Sequence, residues 1–383
     1  MEIKLMHTHM EKICGDREMK CSSFRLPEDV MIDIFLRLEV KNLARLRCVC
    51  KSWNTLLTSK TFVEIHLNQS MRNPRPLLFR HGISPSYLGF YSTKCKEFED
   101  LCDPPFRTQL ADLDVVGSCN GVLCFCSNGS DRSLIYLWNP LIKKYMTLPR
   151  PSLNPRYLGF GVNSVSGHLD DFKVVTISVN ADAEVYSLRS NSWKNIAYGF
   201  PRSIEINRSH INSSVFLNGS VHWCARFSCY HDNSCPWLIV SFDFAKEVFQ
   251  TVMMPYDLST DDADKYLNVF DGYLCVFATI PNNTFRSYEL WVMKEYGLTE
   301  SWTKLYTIEK PQRIWWPLGF TERGKIFIRG ECRHGGYGLL VYNPHSDTFK
   351  CIGVHLPYYA IQVLNFVESI IEPVSQSLIL SRS

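Results

Sequence analysis

Nowhere does this sequence keep an uninterrupted apolar run of the roughly 18 residues that a membrane-spanning helix needs. A helical membrane protein is therefore not expected. The opening "MEIKLMHTHMEKICGDREMKC" is too charged and too broken to read as a signal peptide. No C-x-x-C pair occurs, and the 15 cysteines are an odd, scattered set. An even disulfide framework is thus missing, and reduced thiols in the cytoplasm and/or nucleus are expected. Without a secretion signal, sequons such as Asn218-Gly219-Ser220 are chance matches. Strong charge is also lacking: the net charge is +3, so no nucleic-acid or membrane footprint shows at whole-chain level.

What is plentiful is aromatic: 13% of the 383 residues, with nine Trp, which suits a strand-rich body. The length allows a small domain and a large one. Helical spacing is confined to the first part. In "FRLPEDVMIDIFLRLEV", Pro27 suits the first position of a helix, and Glu28 and Asp29 favour its positive end. Val30, Ile34 and Leu38 then form one stripe at spacing four. Leu26 falls at the cap, a poor place for Leu, which points to a contact outside its own helix.

After a break at "EVKN", Leu43, Leu46, Cys50, Trp53 and Leu57 recur at spacings of three and four. This predicts one second helix with Trp53 at the centre of its stripe and Cys50 as a packing residue. A third helix over "SKTFVEIHL" is predicted to start with Ser59 as its cap. Three short helices bury little surface by themselves and should lean on a partner or on the next domain.

The stretch "LPEDVMIDIFLRLEVKNLARLRCVCKSWNTLL" resembles an F-box, the helical module that binds the Skp-family adaptor of cullin-RING ubiquitin ligases. Leu26-Pro27, Ile34, Leu38, Leu43, Arg47, Val49-Cys50-Lys51 and Trp53 fall where that pattern has its preferred residues. Glu39 departs from it, since plant relatives usually carry Pro there. The resemblance implies adaptor contacts through Leu26, Pro27, Ile34, Leu38, Leu43, Val49, Cys50, Lys51 and Trp53.

From about residue 70 the spacing becomes that of short strands, with hairpin turns at Asn120-Gly121, Asn218-Gly219, Asp271-Gly272 and Arg323-Gly324. Gly167 takes the same place in "SVSGHLDDFKVV". The five glycines step by 46, 52, 53 and 52 residues. Each is followed by a related strand: "LIYLWNP", "AEVYSLRS", "LIVSFDF", "YELWVMK", "LLVYNPHS". An aromatic follows seven residues after Trp138, Tyr186, Phe242 and Tyr342, at Tyr145, Trp193, Phe249 and Phe349. The fourth unit breaks this rule, with Trp302 eleven after Trp291 and "KEYGLTE" reading as an insertion. Units of about fifty residues match the blade period of a kelch-type propeller.

About six blades are expected, the last combining "LLFRHG" and "YLGFYS" with the C-terminal "YAIQVLNFVESII", which would cover exposed edges. "VVGSCNGVLCF", "LWNPLIKKYMTLP" and "DDFKVV" resemble the F-box-associated and kelch-repeat domains of plant F-box proteins.

Other motifs invite chemistry. Cys119 lies in a G-x-x-x-G frame, but a nucleophile elbow needs a helix next and "VLCFC" alternates as a strand. Cys124 and Cys126 read as core. His222, Cys224, Cys229, His231 and Cys235 match no zinc spacing. "HGGYG" from His334 lacks the Lys-Ser/Thr of a phosphate loop, and "DLSTDDADK" reads as a solvated acidic loop. No catalytic residue, metal or cofactor is expected.

The expected organisation is a disordered extension over 1–23, a helical F-box over 24–67, an all-β propeller over 70–375 and a flexible tail over 376–383. The implied function is substrate reception in an SCF-type ubiquitin ligase, with no bond chemistry of its own. The partners would be a Skp-family adaptor, through it a cullin-RING ligase, and a target protein. A non-proteolytic F-box scaffold and a kelch-type enzyme with an incidental helical cap are the alternatives. Target recognition is expected on the irregular segments 225–237, 255–266 and 329–338, through Tyr230, Trp237, Asp261, Asp262 and Arg333.

Overall fold

The computed structural model describes residues 26–80, 87–92, 97–101, 104–106, 113–127, 132–163, 165, 167–197, 199–207, 214–227, 236–259, 264–280, 287–309, 314–321, 323–331, 337–355 and 361–374. The expected extension over 1–23 and the tail over 376–383 lie outside these. The chain divides into two compact units, Met1–Glu39 and Val40–Ser383.

Four helices come first: α1 (Glu28–Leu36), α2 (Val40–Leu46), α3 (Lys51–Thr58) and α4 (Lys60–Met71). Pro27 is the cap of α1, not its first residue, and its carbonyl accepts from Met31 N–H at 3.1 Å. The single stripe expected from Leu43 to Leu57 is two helices. Turn bonds from Cys48 N–H to Arg45 O and from Val49 N–H to Leu46 O close α2. Cys50 is then extended (φ −156°, ψ 161°) and caps α3. Ser59 caps α4 as expected, its hydroxyl accepting from Phe62 N–H at 3.2 Å. Among the described residues no helix is long and apolar enough to cross a membrane.

The rest is a six-bladed propeller. Blade I takes β1 (Arg75–Arg80), β2 (Tyr87–Ser92) and β3 (Glu97–Asp100) from the start of the domain. Blade II is β4 (Leu113–Cys119), β5 (Val122–Ser127), β6 (Ile135–Asn139) and β7 (Lys144–Thr147). Blade III is β8 (Tyr157–Val162), β9 (Phe172–Ile177), β10 (Ala183–Ser187) and β11 (Ser192–Asn195).

Blade IV has its inner strand in two pieces, β12 (Ile204–Ile206) and β13 (Val215–Leu217), beside β14 (Ser220–Phe227), β15 (Trp237–Asp243) and β16 (Val248–Met253). A one-turn helix, α5 (Tyr256–Ser259), leads to blade V: β17 (Lys265–Phe270), β18 (Tyr273–Ile280), β19 (Ser287–Met293) and β20 (Trp302–Ile308). Blade VI is β21 (Ile314–Phe320), β22 (Ile326–Glu331), β23 (Tyr337–Asn343) and β24 (Thr348–His355). The last strand, β25 (Ile361–Phe366), returns to blade I as its innermost strand, pairing antiparallel with β1. The ring therefore closes with N-terminal and C-terminal strands in one sheet, as the sequence predicts.

The repeated phrases have a geometric cause. Asn120, Asn218 and Asp271 and the glycines that follow them all have positive φ, the two-residue type I′ turn that matches strand twist. The seven-residue aromatic offset is a cross-strand pair. Trp138 faces Tyr145, Tyr186 faces Trp193, Phe242 faces Phe249 and Tyr342 faces Phe349 across the outer hairpin of each blade. In blade V the hairpin is lengthened by a 3₁₀ turn at Thr299–Ser301, so Trp302 faces Met293 instead. Apolar side chains gather between blades, with clusters bridging II and III, III and IV, IV and V, V and VI, and VI and I.

Candidate interaction surfaces

Strand order alone separates the propeller into two functional ends. In each antiparallel blade the turn from first to second strand and the turn from third to fourth strand lie at one end. The connections from second to third strand, and from each blade to the next, lie at the other. The tight turns of Asn120-Gly121, Asn218-Gly219 and Asp271-Gly272 occupy the first end. The chain leaving helix α4 enters β1 at Arg75, opposite Phe366 in register, so α4 connects to the ring at this turn end. The described residues that flank the irregular segments 225–237, 255–266 and 329–338 are at the opposite, loop end.

Apolar groups stand exposed in the helical region. Leu26 is 55% exposed, Ile34 42% and Val49 61%. Val30 lies one turn before Ile34 on α1 and is exposed with it. Pro27, Cys50 and Lys51 are also exposed, while Leu38 and Trp53 are half-buried. Leu43 differs from its expected role: it is fully buried and belongs to the chain's own interior, as does Leu57.

The packing role expected of Cys50 is also overturned, because the break before α3 leaves it exposed, as it does Cys48. The Ser52 hydroxyl, 3.2 Å from its sulfur, and the Trp53 backbone N–H hold the Cys50 thiol below its ordinary range. Arg47 points back into the molecule, 2.8 Å from Glu372 and with Nε donating to Asn54.

Of the residues expected to recognise a target, Tyr230, Asp261, Asp262 and Arg333 lie outside the described residues. Trp237 is described, and it is not a surface anchor. It is 1% exposed, sits in the cluster between blades IV and V, and carries the Arg226 guanidinium 4.0 Å from its ring centroid. As the first residue of β15 it is core, although its sequence neighbours are irregular. At the turn end a cavity of about 930 Å³ opens, lined among others by Asn120, Asn218, Asp271, Arg72 and Arg323. Ser214 reaches across the ring beside it, its hydroxyl donating to Val116 O of blade II at 3.1 Å.

The chemistry that the motifs invite finds little geometry. Among the described residues no group of three His, Cys, Asp or Glu side chains could hold a metal ion. Cys229, His231 and Cys235 fall outside those residues. His222 is a buried, satisfied histidine: Val215 O is 3.1 Å from Nδ1, and the Tyr296 hydroxyl is 2.7 Å from Nε2. A carbonyl only accepts, so Nδ1 carries the proton and Nε2 accepts from Tyr296. Burial holds the His222 imidazole down at about 4 and pushes the Cys224 thiol up to about 12. Cys119 is buried, with its thiol raised by burial, and strand β5 follows it, not a helix. Cys48, Cys50, Cys119, Cys124, Cys126, Cys224 and Cys275 are free thiols, whereas Cys351 is disulfide-bonded.

Comparison with known proteins agrees with this architecture. The F-box domain family matches residues 23–64, and the F-box associated beta propeller domain family matches residues 90–334. The chain is 28% identical to the F-box protein CPR1 of Arabidopsis thaliana, over 76% of this chain and 74% of that protein. It is 28% identical to the F-box/kelch-repeat protein At3g23880 of the same plant, over 87% of this chain and 91% of that one. With F-box protein At3g07870 the identity is 27%, over 86% and 88%. The propeller match spans more than half of the sequence and falls on the blades described above, and the chain belongs to the F-box proteins that carry an F-box associated β-propeller domain.

Proposed function

We propose that this chain is the substrate-recognition subunit of an SCF-type ubiquitin ligase. The observation that carries the reading is the division of labour between ends. An F-box with exposed Leu26, Val30, Ile34 and Val49 comes first, helix α4 joins the ring at its turn end, and the strands that flank the irregular connections meet them at the opposite end. Exposed apolar groups on so small a helical unit suit a partner surface. Loops free of blade packing suit a variable target. The chain itself performs no bond chemistry. It raises the effective concentration of target lysines at the ubiquitin-conjugating enzyme, a proximity effect.

The test is a titration of the full chain against a purified Skp-family adaptor, alone and as the Ile34→Asp and Val49→Asp variants. Wild type should bind, and each variant should lose at least about tenfold in affinity, since a buried charge without a partner is costly at an apolar interface. Propeller unfolding should be unchanged. A wild-type chain that ignores the adaptor would overturn the reading. Binding without any target turnover, in extracts where degradation is blocked and then released, would favour a non-proteolytic scaffold.

A further inference from the structure

After β25 the described residues stay against the propeller. Residues Val367–Val374 run along its turn end and touch both the blades and the helices. Asn139, the Asn of "LWNP" in blade II, is fully buried. Its Nδ2 donates to Ser369 O and to Ile371 O, each at 2.9 Å, and its Oδ1 accepts from Leu141 N–H at 3.1 Å. The Ser369 hydroxyl donates to Asn120 O in the first turn of the same blade. A Cβ on Gly121 would strike Ser369, which shows how closely the segment lies on that turn. Ile371 shares its cluster with Leu67 and Val63 of α4 and with Cys124 and Leu137 of blade II.

Two carboxylates of this segment make ion pairs, one with the helical region and one with the start of the ring. Glu372 pairs with Arg47, just after α2, at 2.8 Å. Glu368 pairs with Arg75, the first residue of β1, at 2.8 Å. All four side chains are less than a third exposed. Helices α2–α4 also fall in the same compact unit as the propeller, with the division before Val40. An F-box that only carried its own propeller on a tether would need neither the Arg47–Glu372 pair nor a shared cluster.

We propose that Val367–Val374 is the joint that fixes helices α2–α4 on the propeller, and that Arg47, Glu372 and Asn139 are positioning residues that set the reach from adaptor to target. The part about reach rests on the receptor reading above, while the joint itself does not. Arg47 thereby serves an intramolecular contact although it lies within the F-box pattern.

The experiment compares the full chain with Glu372→Lys and with the charge swap Arg47→Glu plus Glu372→Arg. Hydrogen–deuterium exchange should be at least about fivefold faster in α2 and α4 of Glu372→Lys, unchanged in β18 and β22, and restored in the swap. In a reconstituted ligase, the propeller lysines that become ubiquitinated should be a narrow set in wild type. They should be a broader set in Glu372→Lys, and narrow again in the swap. Unchanged exchange in the helices overturns the joint. Faster exchange with an unchanged lysine pattern confines the segment to stability and overturns the positioning role. No ubiquitination with wild type counts against the receptor reading, and the exchange data then decide the joint alone.

Discussion

His222 is held neutral by its surroundings, and that has a measurable cost in acid. Burial lowers its pKa from an ordinary 6.5 to about 4. Between those values the unfolded chain takes up a proton that the folded chain refuses, so stability falls as pH drops through 6.5 toward about 4. The full loss is on the order of 3 kcal/mol. His222→Gln should flatten the slope of urea-denaturation stability in that window, and an unchanged slope would place the acid sensitivity elsewhere. His66 on α4 is shifted in the same direction by burial and adds to the same trend. Trp237 makes the second residue-scale case. It is core, so Trp237→Ala should cost about 3–5 kcal/mol and lower the melting temperature sharply. A variant of wild-type stability would return Trp237 to the surface.

Among the elements, the hairpins separate conformational cost from crowding. Gly121 and Gly272 occupy the same place in blades II and V, with φ of 79° and 77°. Around Gly272 a Cβ would meet nothing within 4 Å, whereas at Gly121 it would strike Ser369. Gly272→Ala should therefore cost only about 1 kcal/mol, the left-handed backbone penalty. Gly121→Ala should cost clearly more and should loosen the C-terminal segment, which limited proteolysis near Glu372 would register. Equal losses at the two sites would mean that the segment yields freely. The helices follow another logic. Trp53 is half-buried and Leu43 and Leu57 are fully buried, so the helical core is centred on the two leucines. Leu57→Ala should cost about 2–5 kcal/mol and exceed the loss from Trp53→Ala in the same thermal-unfolding assay.

At the scale of the whole molecule, the proposed receptor role assigns adaptor and target to separate regions, so damage at the loop end should leave adaptor binding intact. Replacing residues 228–235 by a short Gly-Ser linker should leave adaptor affinity within about twofold, because α4 joins the ring at the turn end, away from β14 and β15 where this connection begins and ends. If that connection contributes to recognition, target capture from extract should fall with it. A large loss of adaptor affinity in that variant would show that the two ends are coupled. Ring closure itself depends on β25, which supplies the inner strand of blade I. The edges it covers would otherwise be open to pairing with other chains.

Much of this was legible in the residues, for a physical reason. Type I′ turns, strand alternation, the Ser59 cap and the seven-residue aromatic offset arise from neighbours within about ten positions, so their patterns survive in the sequence. Blade number and the return of β25 follow from counting those units. The break before α3 was hidden because the apolar spacing runs through Cys50 unchanged, and only backbone conformation interrupts it. The fate of Trp237 was decided by a blade interface, which no local pattern announces. The joint was least legible of all, since Asn139 meets Ser369 across 230 positions and Arg47 meets Glu372 from the far end of the chain. Sequence by itself determined a helical module and a six-unit ring, because those rest on local geometry. Which of its side chains face outward, and what holds helices to ring, depended on closing the ring and bringing its two termini together.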